Sequence, residues 1–374
     1  MSNFNIEDYE LVDVLTGEDE GLKFAKEDYT SFEQLLEHIR RLPDKAVKVS
    51  TRSLSVNGKV TKDKMETYLA APGESSSLLK TALNTPRHYY IERHRLVKPK
   101  SGRHFDFGTF CHSAVLEPEK FAKVRILPEA NRSTIEGCKI LLKYYWDLLG
   151  VNGPVNIDEC KIGTMRDMIE NLNEEAINQG YSFVSHDDEM AINVIRVGFN
   201  TYGGGFLPKL MKYVQTETSM YGNDPSTGLK VKIRPDGMLL EENFGINAIL
   251  SVKTTSATSV NAFLADCAKF KYELSEGMYL QVASHITGRP FTATLMLMIQ
   301  SVAPFQIALL FWDAEDLEIG KYKYQMAIDT VAKCRESGEW PAFDAMAEEG
   351  AFGIIKAKLP KYIKNELPPQ YLGE

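Results

Sequence analysis

The chain has 374 residues, of which 44% are hydrophobic and 25% are charged, and its formal net charge is -8. These proportions are typical of a soluble globular protein, and the length allows one large domain or two ordinary ones. No segment reaches the roughly 18 uninterrupted apolar residues of a membrane helix. The acidic charge argues against a protein that coats nucleic acid without selectivity.

The first twenty residues contain seven acids and no Lys or Arg, whereas a signal peptide begins with a basic region. We therefore expect a cytoplasmic protein with no membrane partner. The five cysteines are far apart and form no C-x-x-C pair, so they predict neither a disulfide framework nor a zinc site.

The part of the chain before about residue 200 is predicted to be a mixed N-terminal segment followed by helices. Residues 1–72 are interpreted as an N-terminal accessory segment of unknown role, with an acidic start and a helix at "SFEQLLEHIRRL". Residues 73–374 are interpreted as one larger domain. Helical spacing predicts a helix after the serines at 75–77, a helix over "FGTFCHSAVLEPEKF", and helices at about 134–149, 157–179 and 186–200.

After "YGGGF" the pattern changes to strands. "YVQTETSMYG", "LKVKIRPDGMLLE" and "GINAILSVKTT" alternate or run apolar over strand lengths and are separated by turn residues, with a short hairpin at "IRPDG". Helices resume over about 259–287, and strands at "FTATLMLMIQS" and "FQIALLFWD" precede a helix over about 314–337. This order predicts an α/β fold with a mixed central sheet flanked by helices.

The strand "GINAILSVKTT" carries residues suited to phosphodiester hydrolysis. Residues two apart share a face of a strand, so residue 251 and Lys253 lie side by side, and Asp236 comes from the adjoining strand. Hydrolysis with a divalent metal needs hard oxygen ligands and a group that positions or deprotonates the attacking water. Asp236 and Lys253 suit these roles, and Glu217 is placed to reach the same metal. Position 251, where a carboxylate is expected, holds serine.

Each of these residues also has a simpler interpretation. Asp236 with Gly237 is typical of a turn, Lys253 of a solvated strand end, and His112 of a core histidine on an otherwise apolar helix. The segment 86–104, with six Lys or Arg against one acid, is either a solvated helix end and loop or part of a DNA path. For the second case we predict phosphate contacts from Arg87, Arg93, Arg95, Lys98, Lys100 and Arg132.

The ordered set of segments resembles the nuclease domain of the RecE exonucleases (exonuclease VIII), within the PD-(D/E)xK superfamily, over about residues 75–364. The resemblance is carried by "SSSLLKTALNTPRHYY", "FGTFCHSAVLEPEKF", "PEANRST", "ETSMYGNDPSTGLKVKIRPDGML", "ILSVKTT" and "GEWPAF". It implies a PD-(D/E)xK nuclease-like fold for residues 73–374. It also implies a Mg²⁺-dependent exodeoxyribonuclease, with Mn²⁺ as a substitute, that degrades one strand of linear duplex DNA from the 5′ end for recombination by strand annealing.

The resemblance further implies partners and site residues. The partners are duplex DNA ends, a RecT-like annealing protein and further copies of the chain in a ring. His112, Glu217 and Asp236 would be metal ligands, and Lys253 would be the catalytic lysine. Tyr279 matches the tyrosine of a helix motif written Q-x-x-x-Y.

Two departures from the family pattern put the activity in question. Ser251 stands where the family has an acid, and Ser275 stands where it has a glutamine. A hydroxyl is a neutral and much poorer Mg²⁺ ligand than a carboxylate, so Ser251→Asp is expected to raise the rate at least about a hundredfold. Glu241 and Glu242 are the replacement acids nearest in sequence. The alternative function is a catalytically impaired nuclease-fold protein that binds DNA or serves as a scaffold. A sequence-specific endonuclease is disfavoured because no added recognition domain is evident.

Overall fold

The fold is described by a computed structural model for residues 28–97, 108, 110–111, 116, 123–153 and 156–357. The predicted site residues His112, Lys98 and Lys100 lie outside the described residues, as does most of the helix predicted at "FGTFCHSAVLEPEKF".

The helices predicted after residues 75–77 and at about 134–149, 157–179, 186–200, 259–287 and 314–337 are confirmed, whereas the short helices at Met65–Ala70, Phe206–Met211 and Glu241–Phe244 were not predicted. Short 3-10 turns lie at Ile157–Glu159, Tyr202–Gly204 and Phe343–Met346. The α-helices are α1 (Phe32–Arg40), α2 (Met65–Ala70), α3 (Ser76–Ala82), α4 (Pro86–Arg93), α5 (Ile135–Leu149), α6 (Ile162–Asn178), α7 (His186–Thr201), α8 (Phe206–Met211), α9 (Glu241–Phe244), α10 (Val260–Lys269), α11 (Tyr272–Thr287) and α12 (Ala314–Ser337).

Local chemistry explains where several of these helices begin and end. Ser31 forms a capping box with Gln34 at the start of α1, and Asp313 caps the start of α12 through the main-chain N–H of Glu315. Such side chains satisfy N–H groups that have no partner inside the helix. Gly338 ends α12 in the left-handed conformation, which glycine adopts without steric cost.

The strands form three sheets within the described residues. They are β1 (Lys59–Thr61), β2 (Val124–Ile126), β3 (Ser182–Val184), β4 (Gln215–Thr216), β5 (Ser219–Asn223), β6 (Lys230–Ile233), β7 (Gly237–Leu239), β8 (Asn247–Thr255), β9 (Phe291–Gln300) and β10 (Ile307–Phe311). The largest sheet has the order β10-β9-β8-β7-β4, a second has the order β1-β5-β6, and β2 pairs with β3. Because β8 and β9 run parallel while their outer neighbours are antiparallel, the central sheet is mixed, as predicted.

Two predicted strands each divide between two sheets. "YVQTETSMYG" becomes β4 and β5, with a break at Glu217, whose φ is 54°. "LKVKIRPDGMLLE" becomes β6 and β7, with a break at residues 234–236. The hairpin expected at "IRPDG" is therefore wrong, because the chain bends there from one sheet to the other. Pro235 explains the bend, since proline has no N–H to donate to a strand ladder.

The two faces of β8 pack against different helices. Ile249 belongs to the same core cluster as Leu274 and Met278 of α11. Leu250 clusters with Leu35 of α1, and Val252 belongs to a cluster that includes residues of α7. Odd-numbered side chains of β8 therefore face α11, and this face carries position 251 and Lys253.

The described part of the predicted accessory segment is built into this core. β1 pairs with β5, and the main-chain N–H of Thr30 donates to the carbonyl of Thr292 at 3.0 Å. The boundary at residue 72 stays a prediction, although residues 28–72 contact both sheets. All five cysteines are free, and four are buried, as expected. In the described part of the chain, no helix is long and apolar enough to cross a membrane.

Candidate active site

Asp236 lies at the bend between β6 and β7. Its Oδ2 atom accepts a hydrogen bond from the main-chain N–H of Val252 at 2.6 Å. Its own main-chain carbonyl accepts from the N–H of Glu217 at 3.3 Å. These two contacts hold the backbone and the side chain of Asp236 at the bend, so its carboxylate lies beside β8.

Asp236 and Lys253 face the same pocket. The Nζ atom of Lys253 lies 3.8 Å from Oδ2 of Asp236. Burial alone would lower the pKa of Lys253, but the nearby charge of Asp236, with Tyr279 and Glu276, raises that pKa above its usual range. Lys253 is therefore a cation at neutral pH in this arrangement. It is suited to orient an anionic group or a water molecule rather than to take a proton.

Ser251 contacts a carboxylate that the sequence analysis did not consider. Both Ser251 and Glu276 of α11 are 0% exposed. The Ser251 hydroxyl oxygen lies 2.9 Å from Oε1 and 2.8 Å from Oε2 of Glu276, so the hydroxyl donates to either carboxylate oxygen. The pKa of Glu276 is raised to about 7, chiefly by burial and also by Asp236, while Lys253, Ser251 and Lys80 act to lower it.

Close helix packing places Glu276 in the interior. A Cβ atom on Gly277 would lie 2.3 Å from the main-chain nitrogen of Lys321, and one on Gly320 would lie 2.0 Å from the carbonyl oxygen of Glu273. Only glycine permits this approach of α11 and α12. With α12 against one side of it, α11 directs Glu276 toward the odd-numbered face of β8.

Tyr279 lies in the same pocket, one helical turn beyond Ser275. Burial together with the charges of Asp236 and Glu276 raises the pKa of Tyr279, although Lys253 and the nearby side chain of Ser76, at the start of α3, lower it. Ser275 is buried, at 4% exposure. The structure thus brings together Asp236, Ser251, Lys253 and Tyr279 from the predicted set.

A second lysine, Lys80 of α3, was not predicted. Its Nζ atom lies over the ring of Tyr272 at 4.9 Å, and Nζ of Lys253 lies over the same ring at 5.6 Å. Burial, followed by the charge of Lys253, lowers the pKa of Lys80 to about 8, although Glu276 and Glu273 raise it. Two cations therefore share this pocket with the acids.

Glu217 has a different partner from the one predicted. Its Oε2 atom accepts hydrogen bonds from Nε and Nη2 of Arg234 at 2.9 Å and 2.6 Å. Arg234 also donates to the carbonyl of Asp63 and the hydroxyl of Ser219. The metal role of Glu217 stays a prediction, and in this arrangement its carboxylate is paired with a guanidinium. Glu241 and Glu242, in turn, pair with Arg289 at 3.5 Å and 2.7 Å.

The predicted DNA contacts are exposed where they are described. Arg87 donates through Nε to the carbonyl of Trp340 at 3.0 Å, and Arg93 lies 3.8 Å from the buried carboxylate of Glu74. Arg95 and Arg132 are exposed. These positions leave DNA binding as a prediction, and they show that Arg87 and Arg93 also contact the protein itself.

The donor chemistry of the pocket fits a hard divalent cation. Magnesium sites that act on phosphates use one or two carboxylates, with water and phosphate oxygens as further ligands. The carboxylates of Asp236 and Glu276 contact adjacent residues of β8, the first through the main-chain N–H of Val252 and the second through the hydroxyl of Ser251. Among the described residues, no group of three or more His, Cys, Asp or Glu is arranged to hold a metal, and His112 lies outside them.

Glu276 and Lys80 left signals in the sequence that were not used. Glu276 shares a helix face with Leu280 and Ala283, both 0% exposed, and an acid on an otherwise apolar face indicates a buried role. Lys80 lies within "SSSLLK", a segment used above only for its resemblance. Neither residue is near Lys253 in sequence, and only the fold shows that they meet it.

The fold and the pocket define a PD-(D/E)xK-like domain. Residues 75–348 match the family described as "PDDEXK-like domain of unknown function (DUF3799)". The match spans most of the chain, and the chain belongs to this family. The predicted fold class is therefore confirmed. No curated protein matches the chain.

Two solved structures are similar at low sequence identity. A crystal structure from Eubacterium rectale, of a protein provisionally named an exonuclease, is 11% identical, with a TM-score of 0.45 over 82% of this chain and 98% of that chain. The crystal structure of SSO0001 is 11% identical, with a TM-score of 0.20 over 58% of this chain and 85% of that chain. Likeness at this level carries no argument about function, so the residue roles rest on the geometry above.

Proposed function

We propose that the chain is a Mg²⁺-dependent exodeoxyribonuclease of the RecE type, which degrades one strand of linear duplex DNA from the 5′ end. The observation that carries the proposal is the 3.8 Å separation of Asp236 and Lys253. An acid and a lysine from neighbouring parts of the sheet then lie together, both partly buried, in a chain whose family is PDDEXK-like.

The residues of the pocket have separate roles in this proposal. Asp236 would hold the metal, which supplies charge stabilisation of the phosphate and a more acidic water when bound. Lys253, as a protonated amine, orients the attacking water or a phosphate oxygen. Tyr279 is partly buried against the core cluster that contains Ile249 and Met278, and it lies along one wall of the pocket.

The finer parts of the proposal rest on the resemblance to RecE exonucleases. These parts are the 5′ polarity, the role in recombination by strand annealing, a RecT-like partner and a ring of copies. The predicted phosphate contacts of the exposed Arg95 and Arg132 would guide the duplex to the pocket.

The test uses linear duplex DNA labelled at either the 5′ or the 3′ end, with MgCl₂, MnCl₂ or EDTA. We expect metal-dependent release of 5′-terminal nucleotides and no cleavage of covalently closed circular DNA. Asp236→Asn should abolish release, while the matched control Asp147→Asn, on the exposed face of α5, should leave the rate unchanged. Cleavage of closed circles would indicate an endonuclease, and release from the 3′ label first would reverse the proposed polarity.

A second candidate function is a DNA-binding protein that cuts slowly or not at all. It is favoured by the serine at 251 and by the pairing of Glu217 with Arg234. In that case the chain would bind linear duplex DNA with a salt-dependent affinity, and neither Mg²⁺ nor Mn²⁺ would produce a detectable rate above that of Asp236→Asn.

A further inference from the structure

We infer that Glu276 supplies the second carboxylate of the metal site in place of an acid at position 251, and that Ser251 positions it. The inference deepens the proposed function and rests on it for the identity of the site. Compared with the family pattern, the carboxylate comes from helix α11 instead of strand β8, but its oxygens lie in the same pocket.

The contact geometry supports this exchange. The Ser251 hydroxyl reaches both carboxylate oxygens of Glu276, at 2.9 Å and 2.8 Å. An aspartate at 251 would place its carboxyl carbon near the present hydroxyl oxygen, and its own oxygens would point into the space that Glu276 fills. A serine at 251 is therefore the residue that accommodates a carboxylate arriving from the helix.

The carboxylate of Glu276 is buried without a direct ion pair among the described residues, although Lys253 and Lys80 lie in the same pocket. It is 0% exposed, and within the described part of the chain its hydrogen-bond partner is Ser251, with no cation at ion-pair distance. A buried carboxylate of this kind is costly unless a cation compensates it, and a divalent ion between Asp236 and Glu276 would provide that charge.

The competing explanation is a structural pair in which Glu276 is a neutral core acid bonded to Ser251. Glu241 and Glu242, the replacement acids nearest to Ser251 in sequence, are paired with Arg289 in this arrangement. The two explanations differ in one measurable property, the dependence of metal affinity on the Glu276 charge.

The experiment is calorimetric titration of the full chain with MnCl₂ in the absence of DNA. We expect Glu276→Gln to weaken Mn²⁺ binding by at least about tenfold, the lower end of the loss seen when a residue supporting a metal ligand is removed. Asp236→Asn should do the same. The matched control Glu170→Gln, on an exposed position of α6, should bind as the unaltered chain does.

The relocation variant Ser251→Asp/Glu276→Ser provides the decisive arm. It returns the acid to the strand, and we expect it to restore Mn²⁺ affinity to within about threefold of the unaltered chain, since the loss to be recovered is at least about tenfold. If Glu276→Gln lowers the melting temperature below the assay temperature, this variant alone decides. A folded relocation variant without Mn²⁺ binding would overturn the inference, as would a Glu276→Gln variant with unchanged affinity.

Failure of the proposed function is distinguishable from failure of this inference. If the chain releases no nucleotides but its Mn²⁺ affinity depends on both Asp236 and Glu276, the inference stands and the exonuclease proposal fails. If the chain cleaves DNA and Glu276→Gln binds Mn²⁺ normally, the exonuclease proposal stands and Glu276 is a structural residue.

Discussion

The carboxylate of Asp236 accepts a hydrogen bond from the main-chain N–H of Val252 at 2.6 Å, so one side chain joins the bend after β6 to the edge of β8. This relationship separates the electrostatic role of Asp236 from its structural one. An asparagine keeps an acceptor for the N–H and loses the charge, whereas an alanine loses both.

We therefore expect Asp236→Asn to abolish nucleotide release with little change in the free energy of unfolding. Asp236→Ala should abolish release and also lower the free energy of unfolding by about 1–3 kcal/mol, because the N–H of buried Val252 loses its partner. Urea unfolding of both variants, followed with the end-labelled DNA assay, checks the prediction. Equal midpoints for the two variants would show that the Val252 contact does not stabilise the fold.

Asp224 should contribute stability that depends on pH. It is 1% exposed, and burial raises its pKa, yet hydrogen bonds from Ser226, Tyr324 and Thr227 hold that pKa below its usual value. A depressed carboxyl pKa contributes stability that is present above the unfolded pKa of about 3.9 and is lost as pH falls through the folded pKa.

Asp224→Asn should accordingly lower the free energy of unfolding by about 1–3 kcal/mol at pH 7, since it weakens a set of hydrogen bonds to a charged group. The difference from the unaltered chain should shrink as pH falls below about 4. Chemical unfolding at pH 7, 5 and 3.5 measures it. A difference that stays constant down to pH 3.5 would contradict the assignment of this charge.

The contact between α11 and α12 should not tolerate a methyl group. Gly320→Ala places a Cβ 2.0 Å from the carbonyl oxygen of Glu273, and we expect a loss of about 1–3 kcal/mol in the free energy of unfolding from overpacking. Gly163→Ala in α6 is the matched control, because its Cβ would meet nothing within 4 Å. The control should be neutral or slightly stabilising, since alanine has the higher helix propensity.

The exposed arginines should contribute to DNA binding through charge alone. For Arg95→Gln/Arg132→Gln we expect weaker binding to linear duplex DNA and a salt dependence whose slope falls by about one for each lost phosphate contact. Arg40→Gln, on an exposed position of α1, is the control. Arg87 and Arg93 are less suitable, because their contacts with Trp340 and Glu74 would mix structural effects into the result. An unchanged slope would favour the simpler interpretation, in which residues 86–104 are a solvated helix end and loop.

The sequence predicted the regular elements well because their signals are local. Caps such as Ser31 and Asp313 and terminal glycines such as Gly338 lie within a few residues of the helix ends that they define. The alternation of β8 likewise placed Lys253 and position 251 on one face. The breaks at Glu217 and residues 234–236 were missed because a strand pattern does not show that the chain passes between two sheets.

Only the part of the candidate site that lies on or beside adjacent strands was predicted. Asp236 and Lys253 were found because their strands are adjacent. Glu276 and Lys80 were not, since they come from α11 and α3 and reach the pocket through helix packing. The position of Glu276 also alters what we expect of Ser251→Asp. Because Glu276 already lies in the pocket, an added acid at position 251 would repel it, so we no longer expect a hundredfold gain in rate.

The contact between Ser251 and Glu276 has a consequence for natural variation. Carboxylates at both positions would repel each other in one buried space. With neutral residues at both, Asp236 would be the one acid left from the proposed metal site. Relatives that carry aspartate at the position of Ser251 should therefore carry a neutral residue at that of Glu276, and the reverse should hold as well. Both groups of relatives would then have the same charge in the pocket, carried by strand β8 in one group and by helix α11 in the other.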